Sequence, residues 1–154
     1  MSGTATRLNQ WIGAPRTAVY RALLDPRAVA VWMVPDGMRS QVHAFDAREG
    51  GRFRITLTYD EPGGTGKTTP HSDTYHGRFV RLVPDELVVR IIEFETGDRS
   101  MAGEMMLTMS LVDAGGGTEV VVVHEDLPPG VPAADNEAGW RMSLGKLAKL
   151  VGGA

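Results

Sequence analysis

The sequence predicts one α+β domain in which a curved antiparallel sheet of about seven strands packs against a long C-terminal helix. Short segments of strand composition follow one another from residue 38 to residue 125, separated by turns rich in glycine and proline, a pattern typical of antiparallel sheets. The stretch 132–151 instead repeats its apolar residues at helical spacing. A chain of 154 residues can form one well-filled core but is too short for two ordinary domains, so we expect residues 1–154 to form a single domain.

Two short helices are expected between the first strand, Thr4–Ile12, and the rest of the sheet. Pro15 is placed to begin the first helix, because proline is tolerated at the first helical position. Pro26 ends this helix and opens the second, which covers about 26–33 and carries Trp32 on its apolar face.

The remaining strands are predicted from alternation and turn residues. They cover 38–44, 52–59, 74–83, 87–94, 103–112 and 118–125. Segment 52–59 shows the alternation most clearly, since apolar residues at every second position are separated by Arg or Thr. The run Gly115–Gly117 predicts a hairpin between the last two strands.

The last helix is expected to begin at Pro132 and to carry one apolar stripe. Trp140, Leu144, Leu147 and Val151 recur at spacings of four, three and four residues, so they lie on one side of the helix. Because no other element can cover either surface, we expect this stripe to be buried on the sheet.

Composition excludes several classes of function. The formal net charge is −3 and the basic residues are scattered, whereas nucleic-acid binding depends on clustered Lys and Arg. The chain has no cysteine, which rules out thiolate metal sites and cysteine nucleophiles. The four histidines show no metal-binding spacing and no accompanying carboxylate cluster in the sequence, so we expect neither a metal nor another cofactor.

The sequence also predicts the location of the protein. The N-terminal residues contain no apolar signal segment, and no run approaches the roughly 20 apolar residues of a membrane span. We therefore expect a soluble, cytoplasmic protein.

A glycine-rich segment, Gly63–Thr68, is similar to a phosphate-binding loop. That motif requires a glycine five residues before Gly66, where this chain has Glu61, and it requires a helix directly afterwards. We interpret 60–72 as a mobile hairpin loop instead.

An ordered set of short motifs resembles a known family. The motifs are Gly13-Ala-Pro-Arg16, Val31-Trp32, Pro35-Asp36-Gly37, Gly50-Gly51-Arg52-Phe53, His76-Gly77-Arg78-Phe79 and Gly139-Trp140. They are similar to bacterial proteins related to the C-terminal domain of the activator of Hsp90 ATPase, in the Bet v 1/START-like superfamily. The resemblance covers roughly residues 5–150 and implies a helix-grip fold with a cavity between the sheet and the long helix. It does not imply one activity, because members include lipid carriers, cyclases and protein-binding domains.

Seven residues are candidates for ligand contacts inside such a cavity. They are Trp32, Phe53, Tyr75, His124, Glu137, Trp140 and Leu144. The alternative for the aromatic residues is plain core packing, and for His124 it is a hydrogen-bonded structural role. The alternative for Glu137 is a first-turn acid favoured by the helix dipole.

Three functions are compatible with this sequence. The first is binding of a small hydrophobic molecule, with His124 or Glu137 orienting it. The second is an enzyme of cyclase or lyase type that uses the same polar groups for proton transfer. The third is a chaperone-interaction or other protein-binding domain, and the sequence leaves a homodimer open as well.

Overall fold

The structure, a computed structural model, describes residues 4–60, 68, 69 and 71–152. In these residues, ten strands and α-helices follow one another. They are β1 (Thr4–Ile12), α1 (Arg16–Leu24), α2 (Pro26–Trp32), β2 (Met38–Phe45), β3 (Arg52–Tyr59), β4 (Ser72–Val83), β5 (Leu87–Phe94), β6 (Met105–Ala114), β7 (Gly117–Leu127) and α3 (Ala133–Gly152). None of the helices in this part of the chain is long and apolar enough to cross a membrane.

All seven strands form one antiparallel sheet. Its order is β1-β7-β6-β5-β4-β3-β2, so β2 to β7 run as a meander and β1 pairs with β7. The helices α1 and α2 connect β1 at one edge to β2 at the other. This arrangement confirms the α+β class and the helix-grip architecture.

Local sequence explains how the first two helices begin. Pro15 precedes α1 in extended conformation, and its carbonyl accepts the Val19 N–H. The side chain of Asp25 caps α2 by accepting the Arg27 N–H at 2.9 Å, and Pro26 occupies the first turn, where its missing N–H is not needed.

One predicted strand begins later than the sequence indicated. The segment expected to start at residue 103 starts at Met105, because a short 3₁₀ turn covers Arg99–Met101 and Gly103 has a positive φ of 121°. Asp98 holds this turn by accepting the Ser100 N–H at 2.9 Å. Local capping therefore outweighs the strand pattern here.

Three of the four residues in the predicted apolar stripe of α3 are buried, and Val151 near its end is half-buried. Leu144 and Leu147 are fully buried, and Trp140 retains only 7% exposure. The helix packs against β1 and α2. Lys146 also joins it to the segment after α2, donating to the Val34 carbonyl at 2.6 Å.

Most of the predicted loop 60–72 lies outside the described residues, so its expected mobility stays a prediction.

Candidate functional site

A cavity of about 690 Å³ lies between the inner face of the sheet and the first half of α3. It reaches the surface where the turn after α2 approaches α3, since Asp36, Pro132, Asp135 and Met142 line it and are exposed. The backbone N–H of Asp36 lies 3.4 Å from the Met142 sulfur. This contact and the Lys146–Asp36 ion pair at 3.2 Å connect the two sides of the mouth.

The lining is predominantly apolar and rich in methionine. Its main apolar members are Met33, Met38, Leu57, Tyr75, Ile92, Phe94, Met101, Met105, Val131, Trp140 and Met142. Five of the eight methionines of the chain are among them. Methionine side chains are unbranched and flexible, so such a wall adapts to guests of irregular shape.

One polar group in the cavity lining, the ring of His124, has a defined hydrogen-bonding state. The Trp140 indole Nε1–H donates to Nδ1 of His124 at 3.1 Å. An indole nitrogen can only donate, so His124 Nδ1 carries no proton, and the neutral ring carries its proton on Nε2. Asn136 adds a second donor to the same Nδ1 at 3.2 Å and also donates to Thr6 at 3.0 Å.

The other nitrogen of the His124 ring is an unused donor. Its Nε2 atom is buried and has no hydrogen-bond partner among the described residues. Burial, assisted by the positive charge of Arg90, lowers the pKa of His124 from 6.5 to about 4. The ring is therefore neutral at physiological pH and presents an N–H group next to an apolar cavity.

Arg90 is a second buried donor on the same face of the sheet. It has 0% exposure on the central strand β5. Its Nη2 contacts the sulfur of Met33 at 2.9 Å, whereas Nε and Nη1 have no partner in the described part of the chain. The guanidinium lies over the rings of Phe53 and Phe79, at 4.8 and 5.6 Å from their centroids, which supplies cation–π attraction.

Burial affects the acid–base properties of this interior strongly. It lowers the pKa of Arg90 to about 10, which still leaves the side chain charged at neutral pH. Burial raises the pKa of Tyr75 to about 12, and the charge of Arg90 opposes that rise. The cavity is thus lined by a neutral histidine and a neutral tyrosine, and the cation Arg90 lies behind its wall, in contact with the lining residue Met33.

Comparison with known proteins identifies the family. The model of the family described as activator of Hsp90 ATPase homolog 1-like protein matches residues 13–152. The chain belongs to this family. A crystal structure of a protein from Chromobacterium violaceum is 32% identical, with 96% of each chain covered and a TM-score of 0.85. No curated protein matches the chain.

More distant solved structures share the fold. A protein from Rhodobacter sphaeroides is 18% identical, with 97% of this chain and 95% of that chain covered and a TM-score of 0.78. A protein from Arthrobacter aurescens is 12% identical, with 100% and 92% covered and a TM-score of 0.79. These similarities agree with the architecture described above.

The structure separates the seven candidate residues into two groups. Tyr75, His124 and Trp140 line the cavity. The other four do not line it; they are Trp32, Phe53, Glu137 and Leu144.

Each residue of the second group has a structural environment of its own. Trp32 is fully buried and donates its Nε1–H to the Ala22 carbonyl at 3.0 Å. Phe53 and Leu144 belong to the core. Glu137 is partly exposed and forms an ion pair with Arg141 at 3.0 Å, one helical turn away.

Sequence reasoning missed Arg90 and the role of Asn136. The segment 87–94 has apolar residues on both faces, so alternation did not show that Arg90 shares the inner face with Val88 and Ile92. The signal was an arginine flanked by apolar residues at every neighbouring position. Asn136 becomes relevant only because β7 brings His124 beside α3.

One histidine does have neighbouring carboxylates, contrary to the impression from the sequence. The ring of His76 lies 3.0 Å from Glu95 and 3.2 Å from Glu93, and Arg54 also binds Glu95. Glu93 lies on the adjacent strand β5 and Glu95 directly follows it, so strand pairing brings these acids to His76, and their separation along the chain does not show it. Even so, the described regions contain no group of three or more His, Cys, Asp or Glu residues arranged to hold a metal ion.

The state of His124 leads to a prediction about pH. We expect NMR titration to show a neutral His124 ring down to about pH 4. Between pH 6.5 and 4 the unfolded chain binds a proton that the folded chain does not, so this group destabilises the fold as pH falls through that window. His124→Gln should remove this part of the pH dependence. A His124 titration near pH 6.5 would contradict the buried, unprotonated ring.

Proposed function

We propose that this protein binds a small, largely apolar molecule in the cavity between the sheet and α3. The observation that carries the proposal is a preformed space of about 690 Å³ with a predominantly apolar lining and a buried, unused donor on His124. Ligand pockets of proteins commonly have volumes of about 300–1,000 Å³ and combine apolar walls with a few polar groups. Membership of the family supports a ligand-binding domain in general.

Apolar burial would supply most of the affinity. At roughly 25 cal/mol per Å², each 100 Å² of apolar ligand surface removed from water contributes about 2.5 kcal/mol. The methionines of the wall adapt to the ligand's shape, so the cavity can accept ligands whose apolar parts differ in shape. The specificity then depends on polar groups at fixed positions.

The geometry favours binding over proton-transfer catalysis by His124. A general base needs a free lone pair at the cavity, yet the only unprotonated nitrogen of this ring accepts hydrogen bonds from Trp140 and Asn136. The nitrogen left over carries a proton and can only donate. His124 therefore suits the orientation of a ligand oxygen better than the abstraction of a proton.

The protein-binding alternative has weaker support from the surface. The exposed large apolar side chains in the described residues are Trp11, Val31, Val80, Val112, Met142 and Leu150. They are distributed over β1, α2, β4, β6 and α3, whereas a docking surface usually concentrates apolar area in one patch. Trp11 is moreover held by its own hydrogen bond to the Ala114 carbonyl at 2.7 Å.

A panel of apolar compounds tests the proposal. We expect a neutral probe such as phenylnaphthylamine, or a long-chain alcohol such as dodecanol, to quench Trp140 fluorescence and to raise the melting temperature. The thermal shift follows from mass action: ligand at 100 times its Kd stabilises the folded state by about 2.7 kcal/mol.

The control variant is Trp140→Phe, which keeps an aromatic side chain at the cavity. It should lose the quenching while the ligand-induced thermal shift persists, because Trp11 and Trp32 lie outside the lining. If a chemically diverse panel produces neither quenching nor a thermal shift, the ligand-binding proposal is wrong and a protein partner becomes the better explanation.

A further inference from the structure

The sheet places two unused hydrogen-bond donors in one row on its inner face. His124 lines the cavity, whereas Arg90 lies behind the lining residue Met33. Strand pairing aligns Arg90 with Leu107, and Leu107 with His124. Paired residues on neighbouring strands share a face, and strands lie about 4.8 Å apart. Arg90 and His124 therefore face the same side, with backbones about 10 Å apart.

Neither donor has a strong acceptor within the described protein. Two of the three guanidinium nitrogens of Arg90 are without a partner, and the third contacts only the thioether of Met33, a weak acceptor. The Nε2–H of His124 is likewise unused. A buried cation without hydrogen-bonded anions is costly, so its presence in the middle of the sheet requires an explanation.

The carboxylates that face the cavity do not neutralise Arg90. Asp36 and Asp135 are exposed at the mouth, and Asp36 is paired with Lys146. Asp73 has interactions of its own. On β4, the residue paired with Arg90 is Phe79, and Asp73 lies six residues before it. Six residues span about 20 Å along a strand, so Asp73 is too far away to pair with Arg90.

We propose that the ligand of this cavity is an apolar carboxylic acid whose ionised head group binds at Arg90. The head group takes the place that the Met33 sulfur holds beside the guanidinium, and Met33 is itself a flexible cavity-lining residue. The apolar body fills the methionine-rich part of the cavity. The Nε2–H of His124 offers a second, neutral donor to another oxygen of the ligand. This inference rests on the proposed function and specifies its ligand class.

A matched pair of ligands tests the inference on the unmodified protein. Dodecanoic acid and dodecanol have the same chain and differ at the head group. We expect calorimetry to show that the acid binds at least tenfold more tightly at pH 7, because charge-assisted hydrogen bonds to a buried cation are stronger than neutral ones. The acid should also shift the Arg90 Nε–H resonance, and the alcohol should leave it unchanged.

A second test substitutes Arg90 and measures the binding of the same two compounds. Arg90→Met removes the charge with little change in length, and we expect it to abolish the preference for the acid while the alcohol still binds. Arg90→Lys should retain part of the preference. If Arg90→Met does not fold, the wild-type affinity ratio and the Arg90 resonance still decide the question.

The outcomes of the proposed function and of this inference are distinguishable. If neither these two compounds nor the rest of the apolar panel binds, the ligand-binding function itself is wrong. If both bind wild-type protein equally, or if Arg90→Met keeps the acid preference, the cavity binds ligands but Arg90 serves only the packing of Phe53 and Phe79. Either of these results would overturn the inference.

Discussion

Replacing Leu144 with alanine is expected to lower the free energy of unfolding by about 2–5 kcal/mol, the range for large-to-small changes in a core. Leu144 is fully buried between α3 and the rest of the core. The substitution removes its apolar contacts and leaves a void that the surrounding sheet can fill only in part. Denaturant unfolding monitored by circular dichroism measures the loss.

A second leucine of the same helix provides the matched control. Leu150 is 45% exposed, so Leu150→Ala should change stability by less than about 0.5 kcal/mol, as is usual at the surface. A loss below that value for Leu144→Ala would mean that α3 does not dock on the sheet through this stripe.

The second large effect is expected for Gly77→Ala in β4. A Cβ atom at this position would lie 1.8 Å from the Ile91 carbonyl oxygen on the neighbouring strand and 2.8 Å from the Phe53 ring. The Ile91 carbonyl oxygen is a backbone atom, so it cannot move out of contact by a rotamer change as a side chain can. We therefore expect a loss of more than about 3 kcal/mol, above the usual range for overpacking, measured by thermal and denaturant unfolding.

The same substitution elsewhere should have the opposite sign. Gly145 lies within α3, and a Cβ added there meets no atom within 4 Å. Glycine is about 0.8–1.0 kcal/mol less favourable than alanine inside a helix, so Gly145→Ala should stabilise the protein by about that amount. Equal effects at the two positions would contradict the close approach of β4 and β5.

The surroundings of Gly77 also explain why one of the family motifs contains a glycine. His76-Gly77-Arg78-Phe79 contributed to the family resemblance, but the sequence gives no reason for glycine in the middle of a strand. In the structure Gly77 pairs with Phe53 on β3 and Ile92 on β5. The missing side chain leaves room for Phe53, which packs on Phe79 with ring centroids 5.3 Å apart. These two rings in turn flank Arg90.

Much of the architecture could be read from local patterns. β1 and β5 have the predicted bounds, and α3 begins at Ala133, one residue after the expected Pro132. These elements have strong periodicity or a clear proline signal, and both kinds of signal depend only on residues close together in the sequence. The late start of β6 was missed because a capped turn and a glycine with positive φ interrupt an otherwise apolar segment.

The candidate site was predictable only in part. Trp140 and His124 were selected by helical spacing and by strand parity, and both line the cavity. Trp32, Phe53 and Leu144 satisfy the same patterns but lie in the core, because periodicity distinguishes an inner face from an outer one and does not distinguish packed neighbours from a void. Glu137 pairs with Arg141 along its own helix.

The sequence by itself determined the strand order along the chain, the amphipathic face of α3 and the family, since these depend on residue types at short spacings. The tertiary structure alone decided which polar groups meet. Trp140 and Asn136 reach His124 from α3 and donate to its Nδ1, which leaves the Nε2–H as the donor without a partner in the described residues. Strand pairing places Arg90 on the same row as that histidine. Hydrogen bonds and charges act over a few ångströms in space, so residues far apart in the chain acquire their chemistry only when the sheet and helix bring them together.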